Sequence, residues 1–475
     1  MADNITQAGY YTLDNFFISP MYESTSKSTI DKNLPSGTEL SRVIINWGIS
    51  EGMDSGYIHG FAVVHESDNI LKDLPIVGEE NLIITFTDYY GSQETTKFIV
   101  YAVDEITPEA ATNSRMMKYV IRFCSKQKLH ADQKEIRRSY GDQKVSSMVQ
   151  SLYDEYFTTG NADIDKDIEI EETSGEQTLV IPNLRPDEAM AFLSRRAFSA
   201  QNKSSLFRFF ETRDKYYFCT HEYLIDKYKK DLKDDATAIA NNLKFIFNTT
   251  DDNSAEGQYV AQQSISTVNY GQKTNSMNDM KLGAYRRRVT ELDYMHRTRI
   301  TRDYDYSEEF NEYKHIDKLK LTHSENFVNQ YMHPDDAPET VLLADYPQIG
   351  SNQGKGNMMR PYQYYYENYT TKPIVEYHLM SNSITISISG RRDLYPGMLI
   401  NLELFDFSET VAQTRVLDEE RTGTYLVLSV QNSFNEDTYS QELVVTKGGL
   451  GGINKVAIDA SLIIDETFNT GTQLT

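Results

Sequence analysis

The chain has 475 residues and a formal net charge of −23, from 47 lysines and arginines against 70 aspartates and glutamates. Such a length exceeds the roughly 250–300 residues at which one hydrophobic core stops growing, so two to four domains are expected. The acidity argues against stable nucleic-acid binding, which depends on lysine and arginine contacts to phosphate. No run approaches the roughly 18 apolar residues of a membrane helix, and the opening Met1-Ala2-Asp3-Asn4 lacks the basic region and apolar core of an export signal.

In chain order, residues 1–40 mix Ser, Thr, Lys and Tyr without periodicity and read as an N-terminal arm. Strand signals follow at Arg42–Trp47, Tyr57–His65, Asn81–Thr87, Lys97–Ile106 and Lys118–Cys124, with turns such as Asp88-Tyr89-Tyr90-Gly91 between them, and predict a first small β-barrel over 41–130. Val145, Met148, Val149, Leu152 and Tyr156 share one helix face, so an amphipathic helix is expected to close the first domain. Asn161–Glu176 alternates acids with isoleucines, as an edge strand or a linker does, which makes 131–180 helix plus linker. In 181–234, Pro186 suits a first helical position and Asp187 and Glu188 favour the positive helix end, predicting a helix over Pro186–Ala200. Leu206–Phe210, the turn Thr212-Arg213-Asp214 and Tyr216–His221 then predict a hairpin.

Residues 235–300 alternate in character and are assigned to part of a second barrel, and 301–372, rich in Tyr, Asn, Asp and Gly, to a loop-rich insertion. The strict alternation of Ser383–Ser389, the turn Tyr395-Pro396-Gly397, the run Met398–Leu404, and Gly423–Gln431 joined to Tyr439–Thr446 by Asn432 to Asp437 supply the remainder of that barrel over 373–447. The glycine run from Gly448 makes 448–475 a flexible C-terminal tail. The fold class expected is mainly β with intervening helices.

Candidate chemistry is sparse. Gly48-Ile49-Ser50-Glu51-Gly52 matches the nucleophile-elbow pattern, but a strand rather than a helix follows, so a β-turn is expected there. Asp163, Asp165 and Asp167 have calcium-loop spacing, yet Ile168 occupies the glycine position and Ser174 the glutamate position. His59 and His65 match no zinc spacing, and Lys355 lacks the glycines of a phosphate loop. Glu79-Glu80 and Asp335-Asp336 are acid pairs of the type a glycosidase needs, but adjacent acids on a strand point to opposite faces. Arg286-Arg287-Arg288, beside Tyr285, reads as an inter-subunit salt-bridge cluster in so acidic a chain. Cys124 and Cys219, the two cysteines, sit in apolar runs that suit buried thiols. The 33 tyrosines suit subunit contacts, where an aromatic body with a polar tip is favoured. No catalytic, cofactor-binding or metal residue is assigned, and no enzyme activity is expected.

The block "NLRPDEAMAFLSRRAFSAQNKSSLFRFFETRDKYYFCTHEYL" resembles the centre of the baseplate hub proteins of T-even-type, contractile-tailed bacteriophages, a fold shared by type VI secretion spike hubs. So do the strand-rich start of the chain, ending in "HADQKEIRRSYGDQKVSSMVQSLYDEYF", and the blocks "ISISGRRDLYPGMLINLELF" and "RTGTYLVLSVQNSFNEDTYSQELVVTK", together about half the chain in the family's order. The resemblance implies two related antiparallel β-barrels per chain, arranged as a homotrimer into a pseudo-sixfold ring. It also implies a tail tube or tube-initiator protein above, a spike protein below, baseplate wedge proteins around, and tape measure protein and DNA passing through the lumen. No catalytic residue and no cofactor carry over, and the implied location is the tail baseplate of the virion, assembled in the host cytoplasm. An acidic bore would repel DNA. The alternatives are a cell-wall or glycan hydrolase of the tail tip and a glycan-binding adhesin module.

Overall fold

The computed structural model describes residues 7–20, 37–67, 70–73, 76, 78–111, 114–158, 160, 165–202, 204–234, 243–247, 254–271, 275–293, 297–309, 330, 337–343, 371–381, 383–405, 417–418 and 421–447. Within them the chain is mainly antiparallel β.

The first strand set comprises β1 (Thr12–Ser19), β2 (Thr38–Glu39), β3 (Ile44–Gly52), β4 (His59–Glu66), a one-turn helix α1 (Ile70–Asp73), β5 (Asn81–Thr87), β6 (Gln93–Ala111) and β7 (Ser114–Ser125). Side chains alternate between the faces of a strand, and β5 obeys this by burying Leu82, Ile84 and Phe86. The strands lie in the order β3-β4-β7-β6-β5-β1-β2, around a core of Phe16, Trp47, Ala62, Ile84, Ile121 and Phe123 among others. Thr12–Ser19 corrects the expectation of an arm over 1–40. It pairs antiparallel with β5 and buries Phe16 and Ile18. A register shift between Leu13 and Asn15 breaks the alternation that would have marked it as a strand.

Next comes an α+β unit: α2 (Lys126–Asp132), β8 (Ile136–Lys144), α3 (Val145–Tyr156), β9 (Asp167–Ile170), β10 (Glu176–Leu184), α4 (Pro186–Ser194), β11 (Phe207–Glu211), β12 (Lys215–Thr220) and α5 (His221–Asp234). The helix α3 forms where its periodicity put it, but it does not close the first strand set. Its Met148, Val149 and Leu152 share a core with Met190 and Leu193 of α4 and Phe207 and Phe218 of the hairpin. Residues expected as a linker and as a separate segment therefore pack as one unit. The strand β8, too polar to be foreseen, pairs with β10, and β9 is the edge strand of the sheet β11-β12-β9. Proline starts α4, and the Glu188 carboxylate accepts a hydrogen bond from the Arg185 backbone N–H at 3.0 Å, satisfying an amide that the helix leaves free. The helix ends at Ser194 instead of Ala200, because the Phe198 carbonyl accepts from the Ser174 N–H at 2.7 Å and Ser199 bridges to Thr173.

The second strand set is β13 (Lys244–Ile246) and β14 (Ile265–Tyr270), then, after β15 (Arg286–Asp293), β16 (Thr298–Asp305) and β17 (Glu339–Leu343), the strands β18 (Ser383–Ser389), β19 (Leu399–Glu403), β20 (Gly423–Asn435) and β21 (Thr438–Thr446). Its core gathers Phe245, Ile265, Ile386, Leu402, Val427, Leu443 and Val445. Arg286–Asp293 was expected in the second barrel. It lies instead in a separate three-stranded sheet, β16-β15-β17, because its partners come from Thr298–Asp305 and Glu339–Leu343, largely within the segment read as an insertion.

The two strand sets are not separate sheets. Antiparallel pairing of β20 with β3, from Ser429↔Gly52 to Asn435↔Asn46, fuses them into one sheet of 13 strands running from β14 to β2. Among the described residues, no ladder between named strands closes either set into a barrel, although an isolated antiparallel bridge, Tyr10↔Thr438, links the segment before β1 to the start of β21. The expected loop from Asn432 to Asp437 shrinks to Glu436 and Asp437, with Glu436 in the left-handed region at φ +48°. Asn432 read as a turn residue, yet it is buried in the strand, where its amide donates to the Ile49 carbonyl at 3.2 Å and its Oδ1 accepts from the Tyr439 hydroxyl at 2.7 Å.

Candidate functional site

The hairpin β11–β12 carries a short turn, and Arg213 in that turn reaches into the seam where β3 meets β20. Its Nε lies 2.7 Å from Glu51 Oε1 and its Nη1 lies 3.1 Å from Glu94 Oε2. Its Nη2 donates to Asn432 Oδ1 at 3.1 Å and its Nη1 also reaches the Arg392 carbonyl at 3.4 Å. One guanidinium thus ties the α+β unit to β3 and β6 of the first strand set, and to β20 and the loop before β19 of the second. Glu51 is 1% exposed. Burial alone would lower the pKa of Arg213, but the two carboxylates outweigh it and raise it well above the usual arginine value. The fork shape of arginine matches several acceptors at once. Such a buried group is costly to strip of its partners and therefore fixes geometry.

A second node repeats the device. Glu211, fully buried at the end of β11, accepts from the Ile58 N–H at 2.9 Å, the Ser125 hydroxyl at 2.6 Å and the Lys166 ammonium at 2.6 Å. Ile58 precedes β4 and Ser125 ends β7, so the node clamps the α+β unit to the first strand set. On the other side, Gln262 in the helix Ala255–Gln262 accepts from the Gly9 N–H and donates to the Gly390 carbonyl, at 2.8 and 2.6 Å.

The start of α5 holds a pair of neutral groups. His221 Nε2 and Glu222 Oε1 are 3.1 Å apart, and burial pushes the histidine down to about 3 and the glutamic acid up to about 8. Burial thus keeps both partners uncharged, and the contact is not an ion pair. For Glu222 the folded pKa lies above the unfolded value of 4.5. The folded state must therefore hold a proton that the unfolded chain loses, and the cost grows as pH rises from about 4.5 to about 8, then levels off. Glu222→Gln should accordingly gain stability over the parent chain across that interval, read as a pH series of urea midpoints. A gain independent of pH would count against the assignment.

The sequence candidates fall as follows. Ser50 is exposed inside β3, paired with Gln431 and His59, so Gly48–Gly52 is a strand, neither an elbow nor the expected β-turn. His59 and His65 share β4; burial lowers the His59 pKa. Asp167 begins β9, Asp165 accepts from the Gly160 N–H at 2.8 Å, and Asp163 lies outside the described residues, as do Lys355, Asp335 and Asp336. Glu80 is buried and accepts from the Gly78 and Glu79 amides at 3.1 Å each, an intraloop role. Arg286 and Arg288 each sit 2.6 Å from a carboxylate oxygen, of Asp305 and Asp303 respectively, and Arg287 donates to Thr340. These pairs lie within the chain, in place of the expected inter-subunit cluster, because β16 carries an acid opposite each of the two arginines. Cys124 and Cys219 are free and buried, and burial pushes the Cys124 thiol up to about 12. Among the described residues, no three acids, histidines or cysteines are grouped to hold a metal ion, and no helix is long and apolar enough to cross a membrane.

Sequence reading missed Arg213, Glu51, Glu94 and Glu211. A signal was present: single acids interrupt otherwise apolar strand runs, and buried charges need partners.

No family model matches the chain, and no curated protein matches it. Solved structures do. A tail protein from Neisseria meningitidis is similar at 10% identity over 93% of this chain and 98% of its own, with a TM-score of 0.48. The 43 kDa tail protein of prophage MuSo2 from Shewanella oneidensis is similar at 9% identity over 92% and 98%, with a TM-score of 0.47. An E. coli component of the type VI secretion system, described as structurally similar to phage tail proteins, is similar at 10% identity over 85% and 73%, with a TM-score of 0.38.

Proposed function

We propose that this chain is the structural central hub of a phage tail baseplate, a homotrimeric ring that adapts a sixfold tail tube to a threefold spike and leaves a channel for tape measure protein and DNA. The observation that carries the reading is the fused sheet. Two strand sets with separate cores lie side by side in one chain, joined through β20 and β3 and locked by the buried charge at Arg213. A chain with two such sets presents two comparable faces, so three copies make six, which is what a sixfold-to-threefold adapter needs. The four sequence blocks that resemble hub proteins cover both strand sets and the α+β unit between them, and they support the same reading. An adapter of this kind needs rigidity rather than a reactive group, and fixed geometry is what buried, paired charges supply.

Light scattering of the purified protein, alone and mixed with the spike protein of the same source, tests the reading. A trimer, or a trimer formed on adding the spike, is the expected result. A monomer that ignores the spike would overturn it, and a peptidoglycan-clearing assay would then test the hydrolase alternative.

A further inference from the structure

Beside the Arg213 junction lies an open cleft of about 540 Å³, within the range of about 300–1,000 Å³ that small-molecule sites occupy. We propose that it is a binding site for a neutral saccharide, an inference independent of the hub reading.

The lining decides the ligand class. It consists of acids, arginines, a serine and three tyrosines, with no aliphatic side chain. A polypeptide anchor needs an apolar, desolvated pocket, and this cleft has none. Tyr90 and Tyr259 are each 47% exposed, one on the β5–β6 turn and the other on the helix Ala255–Gln262. Both are fixed at the backbone: Asp88 Oδ1 accepts from the Tyr90 and Ser92 amides at 3.0 and 2.8 Å, and the Ser254 hydroxyl caps the helix through the Gly257 amide at 3.1 Å. A pyranose is flat, with C–H faces that suit tyrosine rings and a rim of hydroxyls that both donate and accept.

A second observation points to the same ligand. Arg391 lines the cleft and is 3% exposed, yet its Nη1 has no hydrogen-bond partner. The rest of the residue is clamped. Nε and Nη2 bind Asp393 at 2.9 and 2.5 Å, the backbone N–H donates to Gln441 Oε1 at 2.9 Å, and the carbonyl accepts from Tyr439 and Gln441 at 3.1 and 2.7 Å. A buried donor without an acceptor is costly, and an oxygen of a bound sugar is the acceptor it lacks. The acids set the charge of the ligand. Arg391 is neutralised by Asp393 and Arg213 by Glu51 and Glu94, and Arg392 also leans on Glu94 at 3.3 Å. Asp214 remains exposed at the rim. No cation is left over to attract an anionic sugar, and carboxylates remain to accept from hydroxyls.

Saturation-transfer NMR on the full chain tests this, with diacetylchitobiose, maltose and lactose as neutral probes and galacturonate as the acidic control. Transfer to at least one neutral disaccharide is expected, with a dissociation constant on the order of 1 mM, and a loss of about tenfold in Tyr90→Ala and in Tyr259→Ala. Both rings are half-exposed, so the variants should melt with the parent. Absence of transfer to every neutral probe, unchanged transfer in both variants, or preference for galacturonate would overturn the proposal. So would shielding of the two tyrosines only in complex with another protein, which would assign the cleft to a polypeptide.

Discussion

Arg213→Met is expected to cost about 3–5 kcal/mol, because it strips Glu51 of its ion-pair partner and leaves Glu94 only the half-exposed Arg392. The methionine keeps most of the side-chain volume, so a cavity contributes little, and the loss reports the stranded carboxylates. Glu51→Gln should cost less, since a neutral amide still accepts from the guanidinium while Glu94 keeps its partner. The pH dependence separates the two causes. Without the guanidinium, burial favours the protonated form of Glu51, so the deficit of Arg213→Met should shrink as pH falls towards 5 and grow towards 8. Urea denaturation across that range is the measurement. A deficit below about 1 kcal/mol, the scale of an exposed pair, would mean that the junction does not hold the three parts together. Asp214→Ala, next in the same turn but exposed, is the control expected to leave stability unchanged.

Periodicity in the sequence revealed what packs locally. Asn81–Thr87 and Ser383–Ser389 form at the expected residues, because strict alternation with β-branched side chains leaves little room for another structure. The helix α3 was legible for the same reason. What α3 packs against was not, because its partners Leu193, Phe207 and Phe218 lie 37 or more residues beyond its end, and a local pattern carries no address. Polar residues caused the other misses. Ile136–Lys144 was overlooked because outward-facing arginines, Asp142 and Gln143 mask it. Asn432 read as a turn residue, yet inside the fused sheet its Oδ1 accepts from Gln441 Nε2 at 2.8 Å. The junction itself joins residues from five regions of the chain, and an isolated Arg213 in a hairpin turn looks in sequence like any solvated turn residue.

Phe434→Ala is expected to cost about 3–5 kcal/mol and to uncouple the two strand sets. Phe434 is 1% exposed and belongs to β20 of the second set, but it packs in the core of the first. Its ring stacks on Trp47 at 3.7 Å and on Tyr439 at 4.2 Å, and meets Tyr11 and Phe86 edge-on at 4.9 and 5.1 Å. Aromatic pairs add to what buried area alone provides, so this ring bonds the seam from the side-chain face, as the β20–β3 ladder does through the backbone. Gly390 leaves the space that the cluster needs, since a Cβ there would lie 2.0 Å from Tyr439 Cγ. Trp47 is the only tryptophan and reports on the cluster directly. In Phe434→Ala its native emission should shift to the red as water enters. Its urea transition should precede the loss of β signal in circular dichroism, whereas the parent should give coincident transitions, the sign of one cooperative unit. Coincident transitions at an unchanged midpoint in the variant would show that the backbone ladder alone fuses the sets, and that the aromatic cluster is filling rather than bond.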